Sequence, residues 1–151
     1  MSAQTQGFTL LELLVVMAIL GILAGVLGLN LLSSYRGAQL REAASQMSGD
    51  LRQARSDTLK TGQSVGINVT LNSTAYTVTR GAGTATQSQT RTLPSGVVVA
   101  EEVGETEVTY QAPTGTIGGN GVVWTLRHPG GRQIKVKVVG ITGKVMIDAT
   151  N

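Results

Sequence analysis

The hydrophobic and polar positions divide the chain into three regimes. From Leu13 to Leu29 run 17 residues without a charge or a strongly polar side chain, with Leu10, Leu11, Leu31 and Leu32 extending the run on either side. That length sits at the short end of a membrane-spanning helix. From Ser33 to about Thr61 the pattern becomes amphipathic. Leu40, Ala44, Met47, Leu51, Ala54 and Thr58 recur at spacings of three and four, while Arg36, Arg41, Glu42, Arg52, Arg55 and Lys60 fall mostly off that stripe. One long helix is therefore predicted, continuous from the apolar run into a domain, with Gly62 as its stop.

Beyond Gly62 the period shortens to that of β-strands. Strands are predicted around Val65–Val69, Ala75–Val78, Val97–Val99, Glu107–Tyr110, Val122–Leu126, Ile134–Val139 and Lys144–Ile147. Asn72-Ser73-Thr74, Gly118-Gly119-Asn120-Gly121, Gly130-Gly131 and Thr142-Gly143 are predicted as turns, and the low-complexity stretch Gly81 to Thr90 as a mobile loop. The fold class expected is α+β: a long N-terminal helix, its first half spanning a membrane, packed on an antiparallel sheet. The segment boundaries are a leader over 1–7, a transmembrane and assembly helix over 8–32 and a soluble domain over 33–151.

Composition narrows the chemistry. The chain has no cysteine and one histidine, His128. This excludes a disulfide framework, a thiolate metal site, a Cys nucleophile and a multi-His metal centre. His128 lies in Arg127-His128-Pro129-Gly130-Gly131, which reads as a hairpin turn with a surface histidine. No nucleophile–base pair and no phosphate-binding glycine loop is recognisable, so neither an enzyme nor a cofactor is expected. Glu101, Glu102, Glu105 and Glu107 interleave with Thr and Val and read as a solvated acidic strand edge rather than a cation site. Net charge is +3, and Val108 to Ile147 holds no acid while carrying Arg127, Arg132, Lys135, Lys137 and Lys144. Arg132, Lys135, Lys137 and Lys144 are the candidates for a sequence-independent contact with DNA.

The N-terminus carries a sharper signal. A secretory signal peptide would begin with basic residues and close on a small-residue cleavage site, but Met1 to Gln6 contain no Lys or Arg. A plain anchor leaves Glu12 unexplained. Gly7-Phe8-Thr9-Leu10-Leu11-Glu12 resembles the recognition sequence of prepilin peptidase. The resemblance implies cleavage between Gly7 and Phe8, N-methylation of Phe8, and a role for Glu12 in filament assembly. The missing basic residues in the leader are a departure from that family.

The energetics permit the acid. Six Leu, three Val and two Ile between Leu13 and Leu29 supply on the order of −5 kcal/mol of insertion free energy. A central acid would cost roughly 2.5–3.5 kcal/mol, and Glu12 lies near one end, where the cost is smaller. An intramembrane carboxylate calls for a cation, and the α-amine of Phe8, in the same or a neighbouring subunit, is the natural one. Gly21 and Gly25 share one helix face, which suits close helix packing but is also ordinary in membrane helices.

The segments "LREAASQMSGDLRQARSDTLKTGQSVGINVT", "TLPSGVVV" and "VVGITGKVMI" resemble the GspH/FimT branch of type IV pilin-like proteins. That branch holds the minor pseudopilin H of type II secretion and a minor pilin of type IV pili, and the sequence does not separate the two systems. The resemblance implies a minor pilin or pseudopilin subunit. Its partners would be other pilin or pseudopilin subunits, prepilin peptidase and an inner-membrane assembly platform. It would sit as a single-pass inner-membrane protein, its domain outside the cytoplasm, before entering a pilus or pseudopilus. Some FimT-like members bind DNA through a C-terminal Gly-Arg-x-Arg. Gly143-Lys144-Val145-Met146 stands at that place, with Lys for the first Arg and Met for the second.

Overall fold

A computed structural model describes residues 9–81 and 86–148, the side chains of 26–30 excepted. The chain forms two units, Met1–Tyr35 and Arg36–Asn151. One helix, α1 (Leu10–Thr61), is 52 residues long. It ends as the sequence predicts: Gly62 takes φ +67°, and its N–H donates to the Thr58 carbonyl at 3.0 Å. Glycine adopts that left-handed geometry without a Cβ penalty.

In the second unit, α1 buries Leu40, Ala43, Ala44, Met47, Ser48, Leu51, Ala54 and Thr58. The predicted stripe is thus the face turned into the core. Against it lies one antiparallel sheet of eight strands: β1 (Val65–Val69), β2 (Ala75–Arg80), β3 (Gln87–Thr92), β4 (Val98–Val103), β5 (Glu107–Gln111), β6 (Thr116–Arg127), β7 (Gln133–Ile141) and β8 (Val145–Asp148). Their order is β3-β2-β1-β5-β6-β7-β8, with β4 paired to β6 off that path. Inward alternation on the strands supplies Val65, Ile67, Tyr76, Val108, Tyr110, Trp124, Leu126 and Val136 to the core. This is the α+β architecture expected.

Two expectations are corrected. The stretch read as a loop over Gly81–Thr90 holds β3, which pairs with β2 from Ala75↔Thr92 to Arg80↔Gln87. Residues 82–85 of that stretch lie outside the described residues. Every β3 side chain is exposed, so no alternation marks the strand. It is held by its backbone ladder and by two contacts with α1: Gln46 Nε2 donates to the Thr92 carbonyl at 2.9 Å, and Arg91 Nε lies 3.8 Å from Asp50 Oδ2. Gly118–Gly121, read as a turn, lies inside β6. The register jumps there from Ile117↔Ile141 to Gly121↔Val139, so β6 bulges. A Cβ on Gly140 would stand 2.5 Å from the Asn120 carbonyl carbon and 2.6 Å from its oxygen. The glycines allow two backbones to touch rather than one to reverse.

Polar groups fasten the β2–β3 edge to α1. Tyr76 is buried and its hydroxyl donates to Asp50 Oδ2 at 2.5 Å. Gln46 Nε2 lies 3.3 Å from the same hydroxyl. Arg80 Nε pairs with Asp57 Oδ2 at 3.3 Å. Burial, together with the hydrogen bond to Asp50, holds the Tyr76 phenol well above its ordinary pKa.

Candidate functional site

The first candidate is the start of α1. Gly7 and Phe8 lie outside the described residues. Thr9 caps the helix: its carbonyl accepts from Leu13 N–H at 3.2 Å, and its Oγ1 accepts from Glu12 N–H at 3.2 Å. Thr9-x-x-Glu12 has the spacing of a capping box, and only the Thr9 half is seen. Glu12 is the acid of the first turn, where the helix dipole favours a carboxylate. Sequence reasoning missed this second use of Glu12, although the T-x-x-E spacing was there to find it.

From Leu10 to Gly25 every side chain is exposed. Leu10, Leu14, Met17, Ile19 and Leu23 each leave more than half their area to solvent. A helix apolar on all sides, uncovered by its own chain, is suited to lipid or to other helices. Among the described residues no helix is long and apolar enough to cross a membrane. The side chains of 26–30 lie outside those described, and beyond them Leu31 and Leu32 are again exposed. A Cβ on Gly21 or Gly25 would meet nothing within 4 Å, so both offer open backbone to a neighbour.

The second candidate is the cationic set. Lys135 and Lys137 project from one face of β7, each between two buried positions. Lys135 stands opposite Thr125 of β6 and Asp148 of β8, while Lys137 stands opposite Val123 and Met146. Glu101 occupies the same row as Thr125. Acids of β4 and β8 therefore flank the lysine pair. Lys144 lies in the β7–β8 turn, its carbonyl accepting from Val139 N–H at 2.8 Å. Arg132 lies at the other end of β7, about 23 Å away along the strand. The structure brings Lys135 and Lys137 together and sets Arg132 and Lys144 apart from each other.

His128 departs from the surface turn residue expected. It is 8% exposed; Gly130 N–H donates to its Nδ1 at 2.9 Å, and its Nε2 lies 3.0 Å from Gln39 Oε1. With Nδ1 accepting, Nε2 carries the proton and donates to Gln39. Around this bond two arginines are exchanged between α1 and the β6–β7 turn. Arg36 lays its Cδ 2.9 Å from where a Gly130 Cβ would stand, and Arg132 Nη1 lies 2.8 Å from the equivalent point on Gly37. The acidic cluster also differs in one member. Glu101, Glu105 and Glu107 are exposed, whereas Glu102 is half-buried, aligned with Trp124, with Oε2 unpartnered among the described residues. No group of three His, Cys, Asp or Glu among the described residues is placed to hold a metal ion.

Comparison with known families sets this geometry in context. Residues 3–28 match the prokaryotic N-terminal methylation motif. Residues 43–142 match the model of the type II transport protein GspH. The chain belongs to the GspH family. Among solved structures it is similar to the minor pseudopilin EpsH from the type 2 secretion system of Vibrio cholerae. The two are 14% identical, with a TM-score of 0.57 over 74% of this chain and 97% of that one. At that identity the likeness speaks for the fold. No curated protein matches this chain. The GspH match begins inside α1 and closes in the β7–β8 turn, so it covers the helix stripe from Ala43 onward and the strands β1 to β7. As a GspH-family member the chain is a pilin-like structural subunit that assembles with other pilin-type subunits.

Proposed function

We propose that this chain is a minor pseudopilin subunit of a type II secretion pseudopilus. It would be cleaved between Gly7 and Phe8, methylated on the Phe8 amine and anchored in the inner membrane by residues 8–32, with residues 33–151 on the far side from the cytoplasm. One observation carries the reading. A methylation motif over residues 3–28 takes in the start of a helix whose side chains from Leu10 to Gly25, apolar but for Glu12, are all exposed. Such a helix gains free energy from lipid first and from neighbouring helices in a filament later, and that transfer is what a pilin-type subunit performs. Glu12 gives the transfer direction. Its carboxylate is costly in hydrocarbon and is compensated by an α-amine of an adjacent Phe8 in the bundle. Prepilin peptidase and the inner-membrane platform are the partners this route requires.

Intact-mass measurement of membrane-extracted protein tests the route. The mature chain is expected to begin at Phe8 and to be heavier by one methyl group. A chain still beginning at Met1 would refute it. DNA capture is not the favoured reading, because Asp148 stands directly opposite Lys135, Glu101 lies in the same row beyond Thr125, and Met146 replaces the second motif Arg.

A further inference from the structure

We propose that the junction of α1 with the β6–β7 turn is a binding site for the phosphate of an anionic phospholipid headgroup. The inference rests on the membrane-anchored reading above.

The sequence around the junction is ordered as a membrane interface is. Leu31 and Leu32 are exposed, Tyr35 is 61% exposed, and Arg36 follows at once. Apolar, aromatic and cationic residues succeed one another within six positions. Tyr favours the headgroup level, and Arg just beyond it favours anionic lipid.

Folding then adds cations that the sequence places far away. Arg132 Nη1 and Arg41 Nη2 lie 2.8 and 3.6 Å from where a Gly37 Cβ would stand, so both guanidiniums gather on that helix turn. Arg41 Nε donates to the Gly37 carbonyl at 3.2 Å, which fixes its plane. Arg36 crosses to Gly130 with its Nε 3.3 Å from that glycine's Cβ position. The turn is locked at this place by the His128–Gln39 bond. Segments 36–42 and 128–132 together hold Arg36, Arg41 and Arg132 against Glu42 alone, a net charge of +2 with His128 neutral. Guanidiniums present forked donors that match phosphate oxygens better than a lysine does. Glycine at 37 admits the Arg132 and Arg41 heads close to the helix backbone, and glycine at 130 admits the Arg36 stem.

The function of such a site is retention. It would hold the domain against the bilayer while the subunit waits, and release it when the helix is withdrawn into a filament.

The test uses the full chain in lipid nanodiscs of phosphatidylcholine alone and with about 30 mol% phosphatidylglycerol. Amide exchange is read by mass spectrometry in a peptide covering 127–133. Exchange should be roughly fivefold slower in the anionic discs and should recover at about 0.5 M salt. The ratio between discs should fall to one in Arg36→Gln/Arg132→Gln. In Arg41→Gln, which leaves the Arg36 and Arg132 contacts in place, it should fall part of the way. Each variant is compared with itself, so a turn loosened by substitution cancels. Equal exchange in the two discs, or a slowing that the double variant keeps, overturns the proposal. Protection by duplex DNA without protection by phosphatidylglycerol overturns it in favour of nucleic acid. Failure of the chain to enter either disc defeats the anchor reading itself, whereas entry without lipid dependence defeats the headgroup site alone.

Discussion

Leu20 and Leu51 lie on the same helix in opposite circumstances, and truncating each to alanine should separate assembly from folding. Leu51 is 0% exposed and Leu20 is 54% exposed. Leu51→Ala removes three buried carbon groups and leaves a cavity against the sheet, which costs about 3 kcal/mol within the usual range for such sites. For a unit of this size that corresponds to a fall in Tm of roughly 12 °C. Leu20→Ala removes side-chain area that is mostly exposed, so the folding free energy should change by less than about 0.5 kcal/mol. Trp124 is a suitable reporter. It is the one Trp of the chain, it is fully buried, and its indole N–H donates to the Glu105 carbonyl at 3.0 Å. Near-ultraviolet circular dichroism of the detergent-solubilised chain, heated through the transition, gives both Tm values. Incorporation into sheared filaments gives the second readout, and there Leu20→Ala should be the defective variant. Equal Tm losses in the two proteins would show that the uncovered part of α1 is packed after all. No loss in Leu51→Ala would remove the stripe from the core.

Glu12→Ala should leave cleavage intact while lowering recovery in sheared filaments, as judged by immunoblot against wild type; equal recovery would end the amine-pairing argument. Asp50→Ala strips the Tyr76 hydroxyl of its acceptor and Arg91 of its ion pair, and should cost about 1–3 kcal/mol in urea unfolding. Ile141 is a β-branched residue at φ +62° with 73% of its surface exposed, so Ile141→Gly should raise stability by about 1 kcal/mol in the same assay. Burial pushes the Tyr110 phenol up to about 12 from its ordinary 10.0, and Tyr76 moves in the same direction. Raised folded values mean stability is fully present below pH 10 and is lost as pH rises toward 12. Chemical denaturation across that window should show the decline, and Tyr110→Phe should flatten part of it.

What was legible in the sequence was whatever a periodic pattern records. The stripe from Leu40 to Thr58 reads as a helix face because burial on one side imposes spacings of three and four. The strands with one buried face announced themselves by alternation in the same way. β3 did not, because none of its side chains is buried and its cohesion is in the backbone. Gly118–Gly121 misled because the same residue type serves reversals and close approaches, and only the β7 partner at Gly140 tells them apart. His128 was misplaced because its partner, Gln39, is 89 residues away, and no local window contains both. At the N-terminus the reverse holds. Thr9 and Glu12 lie within one turn, so their cap was readable, and it was overshadowed by the more distinctive Gly7-Phe8 junction.

The buried stripe of α1 also has a mechanical meaning. From Leu40 to Thr58 it extends about 27 Å along the helix axis, with core contacts distributed over its length. A pull applied at Arg36 along that axis acts parallel to the stripe. Under such a load the stripe is sheared, and all its contacts resist at once instead of peeling one after another. The links from Gln46 and Asp50 to the β2–β3 edge add transverse ties along the same seam. The domain is thereby fitted to transmit tension along its helix, and its weak direction is the perpendicular one, in which α1 would lift from the sheet starting at the Leu40 end, since the Gly62 end is tied to β1.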